Sequence, residues 1–189
     1  MPLLNHDCIF DFKGCTTSIS FVHDILFPFA RTQLEKHLKI LDSEEVEKIA
    51  NSLDRDLEKL DANHASRLEL KDKTELTVSD RVYALMNHDV KATALKGLQG
   101  QIWKAGYTNR ELKGHIYQDF LPLLQWCKLT DVNVYIYSSG SIGAQKLLFG
   151  NSIDGDLLSY LKGHFDTTSG NKKEHTSYQT IAKAIDVGT

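Results

Sequence analysis

The chain has 189 residues, 41% of them apolar and 25% charged, with a formal net charge of −3. That length suits one domain, or one domain carrying an insertion, and the near-neutral charge leaves no electrostatic footprint for nucleic acid or a membrane surface. Three scattered cysteines, Cys8, Cys15 and Cys127, exclude a disulfide scaffold, and no apolar run approaches the roughly 20 residues of a membrane span.

In chain order, residues 8–12 (CIFDF) read as a short buried strand with Asp11 near its end. Residues 31–96 differ from everything around them: they hold 26 of the 47 charged residues, one of the 17 aromatics (Tyr83) and no glycine. Such sequence is typical of solvent-washed helices. Leu41, Val46, Ile49, Ala50, Leu53, Leu57 and Leu60 follow helical spacing, with Ser43 as the expected N-cap and Glu44 and Glu45 in the first turn. Val78, Val82, Leu85 and Met86 form a second stripe; Val90, Ala94, Leu98 and Ile102 form a third. Three or four mutually packed helices are expected, their stripes being core.

Residues 132–137 (VNVYIY) form a β-branched and aromatic strand, and 138–141 (SSGS) turn into a helix near 142–149. Residues 160–166 lead into a third short strand, and 176–185 form a last helix. Strands alternating with helices predict an α/β fold with a Rossmann-like parallel sheet. The helical block follows the first strand and so reads as an inserted cap. The predicted organisation is a core of residues 1–19 and 106–189 and a helical cap of residues 20–105.

In an open parallel sheet, sites form beyond the carboxyl ends of the strands. Asp11 ends the first strand there. Ser138 and Ser139 follow the second at a helix N-terminus, where hydroxyls and free amides suit a phosphate. Lys172 follows the third. Each has a plainer reading, as turn former, loop or solvated Lys172–Lys173 pair; their order at three successive strand ends points jointly to a phosphate ester. His23, His115 and His164 are read as local hydrogen-bonding groups. Trp103, Tyr107 and Trp126 are read as packing residues. Cys15 has no base beside it.

Longer motifs carry a resemblance. Residues 11–30 (DFKGCTTSISFVHDILFPFA), 91–103 (KATALKGLQGQIW), 135–141 (YIYSSGS), 144–150 (AQKLLFG), 155–157 (GDL) and 164–167 (HFDT) resemble, in order along the chain, the enolase-phosphatases of methionine salvage. Those are haloacid-dehalogenase-like hydrolases. The resemblance implies a Rossmann-like core with a helical cap inserted after the first strand. It implies conversion of 2,3-diketo-5-methylthiopentyl-1-phosphate to the acireductone, by enolisation and then phosphate-ester hydrolysis with Mg²⁺. It implies Asp11 as nucleophile and metal ligand, the Lys13 backbone carbonyl as a second metal ligand, Ser138 and Ser139 as phosphate contacts, and Lys172 as the lysine stabilising phosphate and the anionic intermediate. The expected partner is a small phosphorylated substrate. A cytoplasmic monomer is expected, with the nucleus as a second location.

Two departures bear on activity. The family motif Asp-x-Glu-Gly-Thr reads Asp11-Phe12-Lys13-Gly14-Cys15. A Lys13 ammonium ~5 Å from a metal would repel it by roughly 3 kcal/mol per unit of metal charge at an effective dielectric near 20. The acidic motif that completes the family's Mg²⁺ site is expected to be missing after residues 181–185, leaving the first strand at a sheet edge. The implied activity is therefore expected to be impaired. The alternative is a catalytically inactive member that binds a phosphorylated ligand or a protein partner.

Overall fold

The structure is a computed structural model and describes residues 6–71 and 75–185. It divides into two compact units, Met1–Asp24 with Gly106–Thr189, and Ile25–Ala105.

The first unit is α/β. Strands β1 (His6–Asp11), β2 (Val132–Tyr137) and β3 (Gly163–Phe165) form a parallel sheet in the order β1-β2-β3. β2 is central, and its last four residues are buried. Its near-continuous apolar sequence reflects cover on both faces. Helix α6 (Phe120–Leu129) packs on it, and α7 (Ile142–Gly150) makes the crossover to β3, as parallel pairing requires. β1 lies at an edge of the described sheet, with Ile9 40% exposed.

β1 starts two residues earlier than the sequence suggested and stops at Asp11. Phe12 leaves the ladder for the core, where its ring meets Phe149 edge-on at 5.7 Å. Its carbonyl accepts instead from the amides of Thr16 and Thr17 and from the Thr16 hydroxyl. Gly14, at φ +86°, makes the tight turn that brings these donors back. Phe120 and Phe149 continue the aromatic core with centroids 6.0 Å apart, and Phe10, only half-buried, meets Phe120 edge-on at 5.9 Å; the strand expected to be buried has no buried residue within His6–Asp11. Trp126, expected to pack, lies on the outer side of α6 at 57% exposure; Cys127, the next residue, is the one that turns inward.

The second unit is helical, and its described residues contain no strand. It comprises α1 (Phe27–Leu38), α2 (Ser43–Glu58), α3 (Ala65–Leu70), α4 (Val78–Asn87) and most of α5 (Thr93–Thr108). That is more than the three or four expected. α1 escapes a periodicity reading because only Ala30 and Leu34 are buried in it. α2 is capped by Asp42, not Ser43: the Asp42 carboxylate accepts from the Glu45 amide at 2.8 Å while the Glu45 carboxylate accepts from the Asp42 amide at 3.3 Å. This reciprocal box satisfies two donors, whereas Ser43 would satisfy one. The Trp103 indole donates to the Leu26 carbonyl at 2.8 Å inside this unit. Among the described residues no helix is long and apolar enough to cross a membrane.

Candidate functional site

The strand register decides where the candidate residues fall. Asp11 pairs with Tyr137, and Tyr137 with Phe165, so all three strands end level. Asp11, Ser138 and Asp166 therefore emerge on one rim.

On that rim the structure brings Asp11 and Lys172 together. Lys172 Nζ lies 2.5 Å from Asp11 Oδ2, and the two side chains are 27% and 41% exposed. The ammonium also sits 5.3 Å from the centroid of the Tyr137 ring, within cation–π range. The other Asp11 oxygen, Oδ1, accepts from the Lys13 amide at 3.3 Å. Lys13 is half-buried.

Ser138 is buried directly after β2. Its amide donates to the Phe165 carbonyl at 3.1 Å, and its hydroxyl oxygen accepts from the Gly140 amide at 3.1 Å. Ser139 is exposed. Ser141 caps α7, accepting from the Ala144 amide at 3.2 Å. The turn is less open to an anion than the sequence implied, because Asp166 Oδ2 already takes the first helical amide, that of Ile142, at 3.1 Å. The amides of Ser139 and Ser141 remain without a partner among the described residues.

Several supporting residues were missed. Asp166 follows β3 as Asp11 ends β1, and a strand-end acid was the signal that could have found it; its Oδ1 accepts from the Thr168 amide and hydroxyl at 2.9 and 2.7 Å. Gln145, fully buried on α7, donates to the carbonyls of Gly140 and Phe165 at 3.0 and 2.9 Å. Its carbonyl is thus left to accept, so His164 Nδ1, 3.1 Å away, carries the proton. Burial, and then the charge of Lys146, lowers His164 below its ordinary 6.5. His115 Nδ1 accepts from the Ser18 amide at 3.2 Å and meets the Thr17 hydroxyl at the same distance, which ties down the segment after Gly14.

The fit to Mg²⁺ is poor. Magnesium wants near-octahedral oxygen ligation. Among the described residues no group of three or more His, Cys, Asp and Glu side chains could hold a metal. Asp11 is engaged by Lys172, and Asp166 spends both oxygens on α7 and the turn at Thr168. The described side chains do not by themselves make a resident magnesium site.

No family model matches the sequence. The chain is 41% identical to enolase-phosphatase E1 of Drosophila erecta over 176 residues, covering 93% of this chain and 69% of that protein. Among solved structures, the UTR4 protein of Saccharomyces cerevisiae is similar at TM-score 0.66 and 29% identity, with 96% of this chain and 76% of that one covered. YfnB of Bacillus subtilis, a HAD-hydrolase bound to magnesium, shares the fold at TM-score 0.51 and 14% identity, over 98% and 74% of the two chains. With β1, β2 and β3 in this parallel arrangement and that identity across nearly its whole length, the chain belongs to the enolase-phosphatase E1 family.

Proposed function

We propose that the chain is an enolase-phosphatase of methionine salvage with weak turnover, and that it takes the phosphorylated diketone at the carboxyl rim of the sheet. Ser138, Ser139 and Lys172 hold the phosphate, and Asp11 is the nucleophile. Residues 20–105 are the inserted helical cap, and residues 1–19 and 106–189 the core.

The observation that carries this reading is the 2.5 Å contact between Lys172 Nζ and Asp11 Oδ2. A carboxylate attacking a phosphate ester brings two anions together. At ~4 Å their repulsion is about 4 kcal/mol per charge pair at an effective dielectric near 20. An ammonium touching the nucleophile offsets that repulsion and is placed to follow the charge onto the phosphate and the enolate oxygen. The Asp11 oxygen bonds to phosphorus as the ester P–O bond breaks, and the leaving oxygen takes a proton from solvent. Water then hydrolyses the aspartyl phosphate. When bound, Mg²⁺ supplies Lewis-acid charge in this family chemistry, and Asp11 with the Lys13 carbonyl would be its contacts here. The described donor set does not complete that site.

The same misfit favours a second reading, an inactive member that binds a phosphorylated ligand or a protein partner. Phosphate release from the diketone substrate by the purified chain separates the two. Slow release that is abolished by Asp11→Asn supports the enzyme, and its absence supports the binder. Fast Mg²⁺-dependent turnover by the unmodified chain would contradict the weak-turnover reading. Lys13→Glu alone should rescue little, since one added carboxylate still leaves the oxygen set short.

A further inference from the structure

The backbone carrying Lys172 is held by three side-chain hydroxyls in succession. The Gly170 carbonyl accepts from the Tyr137 hydroxyl at 2.9 Å. The Asn171 carbonyl accepts from the Ser177 hydroxyl at 2.7 Å. The Lys172 carbonyl accepts from the Tyr178 hydroxyl at 2.9 Å. Tyr137 ends β2, whereas Ser177 and Tyr178 lie in the first turn of α8 (His175–Ala184). The two tyrosine rings meet edge-on, with centroids 5.7 Å apart. The Tyr137 ring is also the one that faces the Lys172 ammonium.

The segment is pressed closely onto α8. Gly170 has φ +117°, and a Cβ there would lie 2.1 Å from Ser177 Oγ. Only glycine fits. A loop in a small domain ordinarily leaves such carbonyls to water. Here three consecutive ones are taken by hydroxyls from a strand end and a helix, and the residue they lead to is the lysine on Asp11.

We propose that Tyr137, Ser177 and Tyr178 are positioning residues that fix the Lys172 backbone so that its ammonium stays on Asp11 and within reach of a bound phosphate. This rests on the reading of Lys172 as a phosphate contact for its purpose, though not for its geometry. A lysine side chain has four rotatable bonds, and pairing it at an exposed site costs rotamer entropy. Fixing the main chain beneath it removes the backbone share of that cost.

The test uses the full chain labelled with ¹³C-lysine. The Lys172 Cε–Hε resonance is assigned by its loss in Lys172→Arg. In the native chain it should stand apart from those of exposed lysines, because of the Tyr137 ring and Asp11. Tyr178→Phe keeps the ring and removes the hydroxyl; Tyr178 is 47% exposed, so folding is not at stake. Ser177→Ala removes the second tether. Both should move the resonance toward the exposed-lysine cluster. Thr180→Val removes a hydroxyl of the same helix that donates, among the described residues, to the Thr176 carbonyl, and should leave the resonance in place.

A resonance unmoved by Tyr178→Phe and by Ser177→Ala, or moved equally by Thr180→Val, would overturn the proposal. Inorganic phosphate is then titrated in EDTA. Binding should weaken about three- to tenfold in Tyr178→Phe, the effect of one hydrogen bond. If phosphate moves nothing in the native chain while Tyr178→Phe still shifts Lys172, the positioning stands and the phosphate reading falls.

Discussion

Asp166 accepts the Ile142 amide on Oδ2 at 3.1 Å and the Thr168 amide on Oδ1 at 2.9 Å, so one carboxylate caps helix α7 and the turn after β3 together. The residue is 8% exposed. It shapes the Ser138–Ser141 turn by holding the helix that the turn enters.

Removing that carboxylate takes the acceptor from three part-buried hydrogen bonds, those of the Ile142 amide and of the Thr168 amide and hydroxyl. Asp166→Ala should therefore lower stability by about 2 kcal/mol, and Asp166→Asn by less, since one acceptor oxygen survives. Urea unfolding of the three proteins provides the comparison. An Asp166→Ala midpoint equal to the native one would contradict the capping role.

Asp56 gives the helical unit an acid limit. Burial pushes its pKa up, but hydrogen bonds from Lys59 and from the Ala94 and Thr93 amides, with the Lys59 charge, outweigh burial and leave it below the ordinary 3.8. The Asp56 carboxylate accepts from Lys59 Nζ and the Ala94 amide, each at 2.8 Å. A depressed folded pKa means the stabilisation is complete above the unfolded value, and is lost as pH falls through the folded one. Stability measured from pH 5 downward should therefore fall below about pH 4, and Asp56→Asn should flatten that fall. An unchanged acid slope in Asp56→Asn would contradict it.

Tyr107 is 5% exposed, and its hydroxyl has no hydrogen-bond partner among the described residues. Burial raises its pKa strongly, so the phenol stays neutral. An unmet buried hydroxyl costs about 1–3 kcal/mol. Tyr107→Phe should stabilise by about 1 kcal/mol, or roughly 2–4 °C in a domain of this size. A lower melting temperature would show that the hydroxyl is satisfied in solution.

Much of this was legible in the sequence. The run of β-branched and aromatic residues at 132–137 becomes the central strand, because full burial selects such residues. Asp11 and Ser138 could be placed at strand ends from local signals alone. Asp11 meeting Lys172 is a long-range fact that spacing could only suggest. Asp56 was invisible because it looks like one more acid on a solvated helix face, and its Ala94 partner is 38 residues away. The Trp126 error came from treating a large aromatic as core, when α6 turns Cys127 inward instead. Ser177 and Tyr178 read as ordinary helix residues until α8 is seen against the Lys172 loop.

On the proposed reading, Lys172 and the Ser138–Ser139 turn hold a phosphate without needing a metal to bridge it. Calorimetry of the 189-residue chain with inorganic phosphate in EDTA, run beside Lys172→Ala, is the decisive measurement. Binding in the native chain should be modest, because an ammonium lacks the bidentate fork of arginine, and it should be lost in Lys172→Ala. Binding that appears only after Mg²⁺ is added, or that survives Lys172→Ala unchanged, would contradict it.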